Sequence, residues 1–253
     1  MDFEHVKAVF EEYLNGYDRE NDKVKLKIVH TYGVIRCSEE IGRRMGLQAE
    51  DMELAKLIAL LHDIGRFEQL KRFNSFEADT MDHATYGVKV LFEEGMIRQF
   101  IEEDTLDDVI RTAIAKHSDY ELTGITDERT LLHARLIRDA DKLDNCRVKL
   151  EDAMETLLDL SADEVGKYAI SPKVREDAFA GKCICSKDRR TPMDYWVSYV
   201  AYFYDLNFQE TLDIVAEEQY VKRIIGRVPY TNEQTKKTME ELERQLTEYV
   251  RRK

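Results

Sequence analysis

A chain of 253 residues is long enough for one large core or for a domain with a helical extension. Its 43% hydrophobic and 35% charged residues, with only three prolines and eleven glycines, leave few breakers and favour long helices over many short strands, so the expected class is all-α. A net charge of -13 repels polyanions and argues against duplex nucleic acid as a partner, whereas a small phosphorylated substrate stays open because a bound dication reverses the field locally.

The start, Met1-Asp-Phe-Glu-His-Val-Lys7, has neither a basic region nor a long apolar one, and no apolar run approaches membrane-spanning length. The expectation is a cytoplasmic protein without membrane contact, its four sparse cysteines reduced. Leu26, Val29, Val34 and Ile41 predict a helix over 24–45 that turns His30 inward. A second helix is expected from Asp51, read as its N-cap, through Leu54, Leu57, Ile58 and Leu61 to His62 and Asp63, with Gly65 ending it. Its run Leu57-Ile-Ala-Leu-Leu61 is apolar on every side, which marks a central helix with charge at its end. Residues 66–82 lose the periodicity and read mostly as loop, a candidate lid.

Helices resume at His83–Glu94, at Thr105–His117 and at Thr130–Leu160, the last with room for a bend. Ser171-Pro172 and Thr191-Pro192 resemble N-caps followed by proline at the first helical position, and a charged helix is expected over Thr231–Arg252. The division expected is a metal-binding helical domain over 1–160 and a C-terminal helical extension, 161–253, packed on it.

Adjacent residues on a helix point about 100° apart, so His62 and Asp63 reach one ion only where the helix end abuts a cavity. Imidazole with carboxylate, and no thiolate, suits borderline divalent ions such as Fe, Mn, Ni, Co or Zn, and Mg remains open. The two oxygens of Asp63 allow it to bridge a pair of ions. His30, His83, His117 and Asp141, each at a helix end or on an apolar face, are the remaining candidates.

The order His30, His62-Asp63, His83, His117, Asp141 resembles the HD-domain superfamily, with Leu60-Leu-His-Asp-Ile-Gly-Arg66 carrying the name-giving pair and Asp139-Ala-Asp-Lys-Leu-Asp144 similar to the final motif. The resemblance covers roughly residues 20–150. It implies a bundle of about five core helices around the ions. It also implies His30, His62, Asp63 and Asp141 as the minimal one-metal set, with His83 and His117 as the pair added where two metals bind and Asp63 as the bridge. Arg66 stands where relatives place a basic residue and Lys142 follows the last Asp, so both are candidate contacts to phosphate oxygens.

The expected activity is a metal-dependent phosphohydrolase in which a metal-bound hydroxide attacks a phosphate ester, with Asp63, Arg66 and Lys142 as catalytic candidates. No Gly-Tyr-Pro motif follows His83 or His117, which weighs against the cyclic-dinucleotide phosphodiesterase branch. The four-His, two-Asp pattern is shared with mixed-valent di-iron oxygenases, similar to myo-inositol oxygenase and the enzymes that cleave phosphonate carbons. A silent module stabilised by its metals is the third reading.

Other features take ordinary readings. His5 and His133 are surface and core; Lys116 is solvated; Cys183-Ile-Cys185 lacks the second pair a structural zinc requires. Trp196, Tyr199, Val200 and Phe203 fall at helical spacing and read as core or as a homodimer face, and the stretch 239–252 as an amphipathic helix.

Overall fold

In the computed structural model, which describes residues 2–77 and 79–252 (Arg252 without its side chain), every regular element is helical. Asp2 accepts from the N–H groups of Glu4 and His5 and starts α1 (Phe3–Leu14). The sequence reading passed over α1, although Phe3, Val6, Phe10 and Leu14 mark its buried face. Helix α2 (Asp22–Met45) begins at an Asn21 cap and stops at Gly46, whose φ of 71° suits a residue without Cβ.

Helix α3 (Ala49–Leu61) starts earlier than expected, behind Gln48. Asp51 is no cap: it lies in the first turn and accepts instead from Arg129 and His133. The single helix expected to run through Asp63 does not form either. Helix α3 stops at Leu61, the chain turns at His62 and Asp63, and α4 (Ile64–Phe73) carries on, so residues 66–73 of the expected loop are helix. Ile64, Phe67 and Leu70 recur every three residues and are buried, a stripe hidden in the sequence by Arg66, Glu68, Lys71 and Arg72. From Asn74 to Asp82 no described residue is helical.

Asp82 accepts from the N–H groups of Ala84 and Thr85 and starts α5 (His83–Val88), which runs into a π-helical turn, Lys89–Glu93. Helices α6 (Ile97–Phe100) and α7 (Asp107–Lys116) follow, and the helix expected over 130–160 is two, α8 (Glu128–Glu151) and α9 (Met154–Leu158). Contacts divide the chain between Asp144 and Asn145. In the first unit α2 packs on α3, α4 on α5, and α7 on both α3 and α5. Val34, Leu57, Ile58, Ile64, Phe67 and Ile114 are buried there. At about 1.5–3 kcal/mol for each such side chain, this apolar layer is what assembles the helices around their polar ends.

In the second unit come α10 (Ala162–Val165), α11 (Pro172–Phe179), α12 (Pro192–Ala201), α13 (Gln209–Glu217), α14 (Tyr220–Ile225) and α15 (Glu233–Arg252). Both expected Pro starts are present. The buried Asp194 joins them, accepting from the Ser171 N–H and hydroxyl and from the Arg190 and Thr191 N–H groups. Trp196, Val200 and Phe203 are buried, and Met239, Leu242, Leu246 and Val250 form the buried stripe of α15. Among the described residues no helix is long and apolar enough to cross a membrane.

His133 is core, as expected: it is buried on α8, its Nε2 donates to Asp51 at 3.0 Å, and its Nδ1 has no partner. Protonating Nδ1 would bury an unsatisfied N–H, so burial lowers the His133 pKa from its ordinary 6.5 despite the nearby Asp51. A histidine depressed in the fold costs stability as pH falls below 6.5, because the unfolded chain takes up the proton first. Replacing His133 with leucine is therefore expected to flatten the fall of Tm between pH 7 and 5 relative to the parent chain, measured by thermal denaturation. Parallel curves would contradict it.

Candidate metal centre

The turn between α3 and α4 solves the problem that adjacent helical residues diverge. His62 closes α3 and Asp63, at φ -105° and ψ 18°, opens α4, so both side chains enter one interior space. His30 comes from the middle of α2, His83 is the first residue of α5, His117 caps the C-terminus of α7, and Asp141 lies on α8. All six sequence candidates meet, in two groups: His30, His62 and Asp141, and Asp63, His83 and His117.

Donors on one ion at about 2.0–2.1 Å stand about 3.0–3.4 Å apart at angles from square to tetrahedral. In the second group His83 Nε2 is 3.1 Å from both His117 Nε2 and Asp63 Oδ1, and His117 Nε2 is 3.6 Å from the same oxygen. In the first, Asp141 Oδ1 is 3.0 Å from His30 Nε2 and 3.9 Å from His62 Nε2. The other oxygen of Asp63, Oδ2, faces the first group, 3.5 Å from His62 Nε2.

Hydrogen bonds behind the rings fix which nitrogen faces inward. His62 Nδ1 donates to the Ala59 carbonyl at 2.8 Å and His117 Nδ1 to the Ile114 carbonyl at 2.7 Å, each within its own helix, leaving the Nε2 lone pairs inside. His62 Nε2 is fully buried with no hydrogen-bond partner. An orphaned acceptor among other acceptors is costly unless a cation joins them, and the donor set of imidazoles and carboxylates fits a borderline divalent ion. Burial pushes the His62 pKa down to about 4, and burial followed by the adjacent Arg66 guanidinium pushes His83 down to about 3, so both rings are neutral at neutral pH. Burial works to raise the Asp63 and Asp141 carboxyls, but Lys27 leads the groups that hold Asp63 well below the usual range, and His30 those that lower Asp141.

Several contributing residues escaped the sequence reading. Lys27, one turn before His30 on α2, donates to Asp63 Oδ2 at 2.5 Å. Asp144, one turn after Asp141, lies 2.8 Å from His30 Nδ1 and sets that ring's orientation. Arg138, one turn before Asp141, is buried and donates to the carbonyls of Lys116, His117 and Asp119, which fixes the end of α7 that carries His117. The signal available was three-residue spacing from residues already singled out. Gly33 and Gly65 make the close approaches: a Cβ on Gly33 would lie 1.9 Å from Asp144 Oδ1, and one on Gly65 2.2 Å from the His83 carbonyl.

Of the remaining candidates, Arg66 Nη2 donates to His83 Nε2 at 2.9 Å, with Nη1 held by Gln69 Oε1 and the Phe76 carbonyl. Lys142 Nζ donates to the Arg138 carbonyl one turn back at 3.5 Å, and Lys116 reaches Asp119 at 3.4 Å. His5 is exposed beside the Gln99 carbonyl.

Fold and site together define an all-helical protein with two buried His/Asp clusters of metal-ligand spacing. Residues 28–146 match the family model described as the HD domain, a family of mostly metal-dependent phosphohydrolases, and that domain implies divalent metal binding. No curated protein and no solved structure gives a significant match.

Replacing His83 and His117 together with alanine removes two of three donors from one cluster and is expected to lower the metal bound in the presence of inorganic phosphate from two equivalents to one by elemental analysis; unchanged stoichiometry under that condition would contradict the assignment. Gly33→Ala drives its Cβ into Asp144 and frees the His30 ring, so metal affinity in competition with a chelator should fall by about 10–100-fold, with Asp144→Asn weakened likewise. Parental affinity in both variants would show that Asp144 does not orient His30.

Proposed function

We propose that this protein is a metal-dependent phosphohydrolase acting on a phosphate ester, a nucleotide or related small molecule, with two divalent ions as cofactors. The observation that carries this reading is the buried His62 Nε2, an acceptor with no partner pointing into a ring of other acceptors. Ions bound there would supply a Lewis acid for phosphoryl oxygens and lower the pKa of water.

The chain's own residues divide the remaining work. His30, His62 and Asp141 would hold one ion and Asp63, His83 and His117 the other, and Asp63 has one oxygen toward each group. Arg66 and Lys27, whose side chains are only 13% and 12% exposed, are cations set beside this cluster in a chain of charge -13. They neutralise phosphate oxygens, Arg66 as a two-pronged donor and Lys27 as a point charge, and Lys142 is a third candidate on α8. These cations favour an anionic substrate, which in the oxygenase reading would be a phosphonate rather than a neutral polyol.

Elemental analysis of purified, untagged protein equilibrated with divalent metal and inorganic phosphate should find two equivalents of metal. The same sample should hydrolyse chromogenic phosphomonoesters or phosphodiesters at equal rates in air and without oxygen. Two irons without hydrolysis, together with oxygen consumption, would transfer the assignment to a di-iron oxygenase. Intact metals without turnover on a broad panel would favour the metal-stabilised module.

A further inference from the structure

Arg66 and the second cluster make incompatible demands on one lone pair. A guanidinium has donors only, so His83 Nε2 accepts from Arg66 Nη2 at 2.9 Å. The same nitrogen faces Asp63 Oδ1 and His117 Nε2, both at 3.1 Å, as a donor of the Asp63–His83–His117 group. A neutral imidazole has a single acceptor nitrogen with one in-plane lone pair, which cannot accept from Arg66 and ligate an ion at once. Lys27 adds a second opposing charge, its Nζ 2.5 Å from Asp63 Oδ2. A carboxylate has several lone-pair sites, so Lys27 opposes an ion by charge rather than by exclusion. The His30–His62–Asp141 group differs in that His62 Nε2 is already unoccupied by any donor.

The displaced cations have a shared place to go. Arg66 Nη1 is tethered to Gln69 Oε1 and to the Phe76 carbonyl, a pivot about which Nη2 can leave His83. Lys23 and Lys27 each lie 5.9 Å from the centre of the Phe76 ring. Three cations thus surround one short stretch of chain beside the second cluster. A guanidinium fork with ammonium groups is a donor arrangement that fits a tetrahedral oxyanion.

We propose that the Asp63–His83–His117 cluster takes up its ion together with a phosphate-type oxyanion, while the His30–His62–Asp141 cluster loads independently. The oxyanion draws Arg66 Nη2 and the Lys27 ammonium onto its oxygens, which frees His83 Nε2 and Asp63 Oδ2. By linkage the ion strengthens oxyanion binding by the same factor. A second ion is thereby acquired with the substrate rather than held in advance. The inference rests on the ligand assignment given above.

Equilibrium dialysis of the full chain against Mn2+, with bound metal counted by elemental analysis in the presence and absence of inorganic phosphate, tests it. The parent chain is expected to retain one Mn2+ without phosphate and to bind a second about tenfold more tightly when phosphate is present. In Arg66→Gln the second Mn2+ should bind without phosphate, and in Lys27→Met the phosphate dependence should shrink. Arg66→Lys, which keeps the charge but not the fork, serves if the glutamine variant does not fold. Two Mn2+ of equal affinity in the phosphate-free parent would overturn the coupling. So would a phosphate dependence unchanged in the Arg66 and Lys27 variants, which would mean that phosphate acts through the ions alone. No Mn2+ on the folded parent chain under either condition would overturn the ligand assignment itself, and the coupling with it.

Discussion

The lone pair on His62 Nε2 has no donor to meet inside this protein, and that one deficit organises what surrounds it. The ring is tied from behind by the Ala59 carbonyl, so it cannot flip its bare nitrogen out of the cavity without losing that bond. Asp141 and Asp63 bring carboxylate oxygens toward the same space, and His117 and His83 bring further nitrogens. A buried acceptor that meets no donor, as His62 Nε2 does here, costs free energy that hydrogen bonding within the chain does not return. A cation is the one addition that satisfies all of them together. Lys27 and Arg66 bring positive charge to the same place from the protein itself.

The scaffold reaches this arrangement largely through helix ends. His62 closes α3, His83 opens α5 and His117 caps α7, positions where a side chain can point along a helix axis into a cavity rather than across a face. Each end is fixed by its own device: Asp82 caps α5, Arg138 binds the last carbonyls of α7, and Gly65 lets α4 and α5 approach until the His83 carbonyl leaves no room for a Cβ. Only His30 and Asp141 come from helix interiors, and Asp144 holds the His30 ring from behind. Helix α8 therefore serves both clusters, with Arg138 behind His117, Asp141 in the first group and Asp144 behind His30. Supporting contacts of this kind set how well a ligand is pre-placed, and so how tightly a metal binds.

Much of this was legible because metal-ligating side chains are chemically rare and the His62-Asp63 pair is adjacent. The all-helical class followed from the scarcity of breakers, and the long helix around His30 from apolar residues at helical spacing. What the sequence concealed was polar structure with a local purpose. Helix α4 reads as loop because Arg66, Glu68 and Gln69 interrupt its stripe, yet Gln69 is buried, holding Arg66 through one end and the Glu77 carbonyl and Thr80 hydroxyl through the other. Asp51 reads as a cap because it precedes an apolar run, whereas its partners Arg129 and His133 lie far along the chain. Lys27 is one of three lysines between residues 23 and 27, and only the fold brings it to Asp63. Pairings of that sort depend on tertiary geometry, which residue spacing along one helix does not contain.

The central claim is that two separate clusters of lone pairs are two seats for divalent ions. Crystals grown with Mn2+ and phosphate, with diffraction measured at the manganese absorption edge, address it most directly. The account predicts two anomalous peaks, one among His30, His62 and Asp141 and one among Asp63, His83 and His117. Peaks confined to surface carboxylates, with none inside the helices, would contradict it.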